Sequence, residues 1–336
     1  MISTNLLLLF FIIFNFFIVL NFSKLKFFHF NIDKPDKIRK LHSKPTPLAG
    51  GQIIFINLII YWILSFYSKE LLNNEIFFQN EDSLNYFMVT IFFIFLLGFV
   101  DDKYNLKANL KFIFLFIIIL ILLFKDFNLI LNEINFSFYS KSLNLKNYNI
   151  IFSIFCFLVF LNAFNMFDGI NLQSSLYSII ILTNILLFFS NSLLVKILII
   201  SLIFFSYLNY KNKSFLGDSG SLIIAFMISY FFIKMYNFDI IGYADQIILY
   251  MLIPGLDLIR LFIIRIFKKQ NPLSSDRNHI HHLLLRKYSL EKSLIILLLM
   301  IIFPIIFNFL KLSNFIVILI TIMTYSSIII YLKQKK

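Results

Sequence analysis

Cysteine is almost missing from this chain. One residue, Cys156, in 336 rules out an intrachain disulfide and a thiolate metal cluster, so it reads as a packing residue. Glycine is scarce too, at 8 residues, against abundant Phe, Ile, Lys and Asn. That bias fits AT-rich coding and carries no functional signal. Charged residues make up 14% of the chain, 60% are hydrophobic, and the mean hydropathy is +0.87. A soluble domain of this length could not hide so much apolar surface in one core, which leaves a lipid bilayer as the natural solvent. The signs of a cleavable leader are also lacking: Met1 to Asn5 carry no side-chain positive charge, no small-residue cleavage pattern follows, and the basic cluster comes after the first apolar run. That run is expected to insert with its amino terminus outside.

What the chain has in quantity is spans. A bilayer core about 30 Å thick needs roughly 20 helical residues, and eleven apolar runs are candidates: about Leu6–Phe22, Gly50–Tyr67, Leu84–Val100, Leu110–Phe124, Ile150–Phe164, Leu172–Phe189, Leu193–Leu208, Ser221–Tyr236, Gln246–Phe267, Leu294–Leu310 and Phe315–Tyr331. The expected fold is all-α, one polytopic membrane domain over residues 1–336 with 10 or 11 transmembrane helices. Eleven requires that the short gap at Ser190–Ser192 separates two spans; a re-entrant segment would give ten. Of the charges behind the net +13, most Lys and Arg follow the odd-numbered runs, Lys24, Lys26, Lys268, Lys269, Arg286 and Lys333 among them. The 69–83 loop instead carries Glu70, Glu75, Glu81 and Asp82 against Lys69. The positive-inside rule then makes the side shared with the carboxyl terminus cytoplasmic, and the basic balance speaks for a membrane surface rather than nucleic acid.

Polar residues near a membrane core are costly and tend to mark sites or pathways. Five clusters fall on the expected cytoplasmic side: RKLHSKPTPLAGG (39–51), DDKYNLKANLK (101–111), NAFNMFDGIN (162–171), FLGDSGS (215–221) and DRNHIHH (276–282). Asp101 and Asp102 end an apolar run, where adjacent carboxylates can bind a hard cation, accept a proton, or simply solvate a helix end. Lys111 follows as a phosphate ligand or a snorkelling lysine. Asn162, Asn165 and Asp168 recur every third residue, which lays oxygen-bearing side chains along one helical face before Gly169. Asp218 sits between Gly217 and Gly220, which permit close backbone approach to a ligand; capping of the next helix is the plainer role. His279, His281 and His282 share a loop with Asp276, Arg277 and Asn278. HxHH is a poor zinc spacing, and hydrogen bonds or charge toward diphosphate oxygens suit the string better. Asp257 and Arg260, at i and i+3 within an apolar run, can pair. KPTP before Gly50 and Gly51 reads as a rigid turn with Lys44 as a phosphate or headgroup contact.

In this order the five motifs resemble those of the bacterial polyprenyl-phosphate N-acetylhexosamine-1-phosphate transferases, in the superfamily of phospho-N-acetylmuramoyl-pentapeptide transferase, over about residues 39 to 290. The resemblance implies Mg²⁺-dependent transfer, Mn²⁺ being a possible substitute, of a sugar 1-phosphate from a UDP-sugar to polyprenyl phosphate, undecaprenyl phosphate in a bacterium, with release of UMP. It implies metal ligation by Asn165 and Asp218, a catalytic centre of Asp101, Asp102 and Asp168, and a phosphate-binding Lys111. It also implies donor contacts from Arg277, His279, His281 and His282, with Lys44 and Asn162 as further substrate contacts. An inner (plasma) membrane setting with a cytoplasmic active site follows, and a homodimer is compatible. One departure stands out: after DGI the related enzymes commonly continue with Asp or Asn and then Gly-Leu, whereas this chain has Asn171, Leu172 and Gln173. The rival class is a transporter or flippase, which predicts polar residues at mid-membrane in broken, paired spans rather than at helix ends on one face.

Overall fold

The structure is a computed structural model that describes residues 4–35, 44–67, 75–271, 278–310 and 312–334. The chain is built of α1 (Thr4–Asn21), α2 (Gly50–Tyr67), α3 (Glu81–Tyr104), α4 (Ala108–Lys125), α5 (Asn149–Phe167), α6 (Gln173–Phe188), α7 (Leu193–Tyr210), α8 (Gly217–Asn237), α9 (Ala244–Phe267), α10 (Ile280–Leu285), α11 (Leu290–Phe309) and α12 (Asn314–Lys333). Two small antiparallel ribbons interrupt the helices: β1 (Ile32–Asp33) with β2 (Thr46–Pro47), and β3 (Glu133–Phe136) with β4 (Tyr139–Asn144). Among the described residues ten helices are long and apolar enough to cross a membrane, so the protein is an all-α, multi-pass membrane protein. Each of the eleven apolar runs is a separate helix. The gap at Ser190–Ser192 is a real break, closed by Ser192, whose side chain accepts from the Val195 amide and caps α7. α6 falls short of the others at 16 residues, about 24 Å at 1.5 Å per residue.

Two compact units are present. The first comprises residues 1–126 and 178–228. Here α1 and α2 both pack on α7, and α3 packs on α2 and α4. A pair of buried amides ties α1 to α2: Asn15 Nδ2 donates to Asn57 Oδ1 at 2.7 Å and Asn57 Nδ2 donates back to Asn15 Oδ1 at 3.0 Å. Glycines let α2, α3 and the start of α8 approach to backbone contact. A Cβ on Gly98 would lie 2.4 Å from Ser219 Cα, and one on Gly51 would lie 2.4 Å from the Gly220 nitrogen. The Gly50 and Gly51 amides donate to the Phe215 and Leu216 carbonyls, each at 3.1 Å. The LAGG string is therefore the docking edge for FLGDSGS as well as a turn. Gly217 and Gly220 likewise serve packing against protein atoms: a Cβ on Gly217 would meet the Asp102 carboxylate.

The second unit comprises residues 127–177 and 229–336. α9 is its hub, packed against α5, α11 and α12. Tyr177 is fully buried, with its ring 5.6 Å from Phe164 and 5.7 Å from Phe167, and its hydroxyl donates to the Tyr250 carbonyl at 2.8 Å. The β3–β4 hairpin fills the stretch between α4 and α5. It is joined to α8 and α9 by Tyr236, which accepts from the Asn135 amide at 2.7 Å, and by Asp245, which accepts from the Ser137 amide at 3.0 Å and from its hydroxyl.

Candidate functional site

In the first unit three of the sequence motifs meet. α3 runs on past its apolar run through Asp101 and Asp102, then stops because Asn105 takes a left-handed backbone (φ 50) and returns its amide to the Asp101 carbonyl at 2.8 Å. The Asp101 side chain finishes the turn by accepting from the Leu106 amide at 2.7 Å through Oδ1. Its Oδ2 accepts from Lys111 Nζ at 2.6 Å, and the same ammonium donates to Asp218 Oδ2 at 2.8 Å. Lys111 thus neutralises two carboxylates at once, from the first turns of α4. Buried like charges would repel strongly without such a cation.

Asp102 does different work. Its Oδ1 accepts from the Asp218 amide at 2.7 Å, and Oδ2 accepts from the Ser219 amide at 3.2 Å and from Ser219 Oγ at 2.8 Å. These are orphan donors at the amino terminus of α8, so a carboxylate from one helix caps another and complements its dipole. Asp218 itself lies within the first turn of α8 rather than capping it. Its side chain is 36% exposed, against 6% for Asp101 and 14% for Lys111, which makes it the accessible member of the cluster. Lys44 lies exposed just ahead of β2.

The second unit holds the remaining motifs. Asn162 and Asn165 are on the last turns of α5, and Asp168 is its C-cap, with its amide bonded to the Phe164 carbonyl at 3.0 Å. The Asn162 amide donates back to the Leu158 carbonyl at 2.8 Å. In the turn that follows, Leu172 sits at φ 69. This is the position where the pattern of the resembled family has a glycine, a residue that adopts the left-handed backbone without strain.

The histidines were expected in a loop, but His281 and His282 lie on α10, a short helix that opens directly after His279. His279 Nδ1 is 2.7 Å from Asp257 Oδ2, and Asp257 Oδ1 accepts from Arg260 Nη2 at 2.7 Å, the Tyr325 hydroxyl at 2.8 Å and the Ile280 amide at 3.1 Å. The His281 ring stacks on His279 with centroids 5.5 Å apart and an interplanar angle of 5°. It is 1% exposed, and its Nδ1 has no hydrogen-bond partner among the described residues. Burial, then the charge of His282 and His279, holds this imidazole well below its ordinary value of 6.5. The ring fits against Gly169 so closely that a Cβ there would lie 1.9 Å from Nε2. The glycine of NAFNMFDGIN is thus the seat of the second histidine of HIHH. Arg277 lies outside the described residues.

Sequence reasoning gave Asp257 and Arg260 as a simple pair, and the 2.7 Å contact is there. It missed that Asp257 also holds the histidine segment, that Tyr325 closes the same network, and that Ser219 anchors Asp102. The i, i+3 spacing signalled the ion pair; no local pattern signals bonds spanning 22 or 68 residues.

Oxygen-rich side chains at helix ends suit a hard cation. Among the described residues no three His, Cys, Asp or Glu side chains group to hold a metal by themselves, but Mg²⁺ is commonly bound by one or two carboxylates with water and substrate phosphate completing its shell. The part-exposed Asp218 carboxylate beside Asp101 fits that pattern.

Helices long and apolar enough to cross a membrane, with acid, lysine and histidine clusters at their ends, make this an integral membrane protein with charged groups gathered at its helix ends. Residues 84–236 match the family described as Glycosyl transferase family 4. The undecaprenyl-phosphate alpha-N-acetylglucosaminyl 1-phosphate transferase of Thermotoga maritima is 28% identical over 290 residues, covering 84% of this chain and 81% of that protein. The enzyme of the same name from Salmonella typhi is 24% identical over 267 residues, 76% of this chain and 69% of its own. The probable undecaprenyl-phosphate N-acetylglucosaminyl 1-phosphate transferase of Bacillus subtilis is 28% identical over 274 residues, with the same shares.

Proposed function

We propose that the protein transfers an N-acetylhexosamine 1-phosphate, GlcNAc 1-phosphate by likeness to its relatives, from a UDP-sugar to a polyprenyl phosphate, releasing UMP at the cytoplasmic face of the membrane. The observation that carries this reading is the Asp101–Lys111–Asp218 cluster, a charge-balanced group at helix ends of the kind phosphoryl transfer needs. That reaction asks a protein mainly to position its reactants and to neutralise charge.

In this reading a phosphate oxygen of the lipid attacks the sugar-linked phosphorus of the donor, and the bond to the UMP oxygen breaks. Lys111 can turn from its carboxylates to the developing charge on phosphate oxygens. Asp102 is committed to the three donors of α8, so its part is to position Asp218; Asp101 is then the candidate to accept a proton from the lipid phosphate. Asp218 would hold Mg²⁺, which when bound supplies Lewis-acid stabilisation of the phosphate oxygens. Asn165, Asp168 and the histidines serve in the second unit, His281 through its unpartnered Nδ1. The polyprenyl tail lies in lipid, which accounts for building such an enzyme from membrane helices.

The test uses purified, folded protein with labelled UDP-GlcNAc, polyprenyl phosphate and Mg²⁺. Butanol-extractable label that disappears with EDTA, and is abolished by Asp218→Ala, is expected. Substantial turnover by Asp218→Ala would defeat the metal assignment, and label that crosses vesicles without joining lipid would favour transport.

A further inference from the structure

We propose that Asp257 is a positioning residue for donor recognition: with Arg260 and Tyr325 it fixes the tautomer and direction of His279 and the placement of α10. The inference rests on the assignment of the histidine segment to the UDP-sugar.

α10 has six residues, too few to hold a helical shape or a fixed direction unaided. Its placement must come from outside, and the contacts at its start are dense. Asn278, His279 and Ile280 are all tied to α9. Arg260 Nη2 donates to the Asn278 carbonyl at 2.6 Å, His279 Nδ1 meets Asp257 Oδ2 at 2.7 Å, and the Ile280 amide donates to Asp257 Oδ1 at 3.1 Å. Tyr325, from α12, donates to Asp257 Oδ1 at 2.8 Å and accepts from Arg260 Nε at 2.8 Å, which closes the network. Asp257 and His279 are 2% and 5% exposed, so these bonds do not compete with bulk water.

The chemistry follows from donor and acceptor counting. An ionised carboxylate only accepts, so Nδ1 of His279 must carry the proton. Nε2 is then the ring atom left to face a ligand, as a lone pair in the neutral ring or a second donor in the cation. Because His281 stacks on His279, the orientation passes to the second ring, which Gly169 limits from its other side. The last helix, remote in sequence from every motif, thereby acts on the donor through Tyr325.

The experiment uses the full chain in detergent or nanodiscs with UDP-GlcNAc, polyprenyl phosphate and Mg²⁺. Tyr325→Phe keeps the ring and removes one donor, and Asp257→Asn keeps the shape and removes the charge. Loss of a charged hydrogen bond corresponds to about a tenfold effect or more. Asp257→Asn is expected to raise the donor KM about tenfold, with a smaller rise in Tyr325→Phe; in both, lipid KM is unchanged and kcat stays within about twofold. Folded variants with wild-type donor KM, or equal losses toward both substrates, would overturn the proposal. Hydrogen exchange at Leu283 and its neighbours reads the placement without turnover, and faster exchange in Asp257→Asn is expected. If wild-type protein neither binds nor consumes UDP-GlcNAc while exchange still quickens, the functional reading fails and the brace stands. Unchanged exchange removes the brace itself.

Discussion

Gly169→Ala is a one-carbon change whose effect can be worked out from distances. The added methyl would lie 1.9 Å from His281 Nε2, 2.3 Å from Cε1 and 2.6 Å from Cδ2, so the ring must retreat by roughly 1.5 Å to regain van der Waals contact. It has little room to do so, being 1% exposed, stacked on His279 and 4.3 Å from the His282 ring centroid. Overpacking of this kind costs about 1–3 kcal/mol. The melting temperature in detergent should fall, and UMP affinity, measured by calorimetry, should weaken by about tenfold as the histidines shift. The double variant Gly169→Ala with His281→Ala removes the clash, so it should recover stability without recovering UMP affinity. A single variant that melts and binds like wild type would refute the seat of His281 on Gly169.

Other outcomes follow from the same geometry. Leu172→Gly should be neutral or stabilising by up to about 1 kcal/mol because the backbone is left-handed there, while Leu172→Val should destabilise; the reverse order in thermal melts would contradict the turn described. Asp102→Asn should lower stability by about 1–3 kcal/mol through the amino terminus of α8, with Ser219→Ala milder, as read by hydrogen exchange of the first turns of that helix. Glu75, before α3, is 2% exposed and accepts from Ser192 Oγ at 2.6 Å and the Leu194 amide at 2.7 Å, with Tyr61 and Lys196 nearby. Burial outweighs these bonds and raises its carboxyl from 4.5 to about 7. The folded state thus binds more protons than the unfolded one between those values. Its contribution, about 3 kcal/mol at most, is complete below 4.5 and is lost as pH rises through 7. Melting temperatures from pH 5 to 8 should show that decline in wild type and its loss in Glu75→Gln.

The spans were legible because lipid imposes one requirement, a long apolar helix, that shows directly in residue order. Asp101, Asp102, Lys111 and Asp218 were legible for the opposite reason: charge next to an apolar run stands out. Their division of labour was not. That Asp102 caps α8 while Asp101 shares a lysine depends on side-chain direction in the last turn of α3, and adjacent identical residues give no hint of it. Gly217 and Gly220, read as room for a ligand, also make room for a carboxylate and a neighbouring backbone, which residue order does not show. The histidines were read as loop because six helical residues leave almost no periodic trace. At Leu172 the departure from the family pattern stood out in the sequence, but its left-handed backbone shows only in the coordinates.

The reciprocal amides of α1 and α2 bear on how the chain is made. Each polar head can also bond to its own helix, as Asn15 does to the Phe11 carbonyl and Asn57 to the Ile53 carbonyl, both at 2.8 Å, but among the described residues the oxygens find their donors only in each other. A first helix released alone into hydrocarbon would carry an unmet acceptor. The energetically favoured course during synthesis is therefore for that segment to linger beside the insertion machinery until its partner emerges, and for the two to leave as a pair.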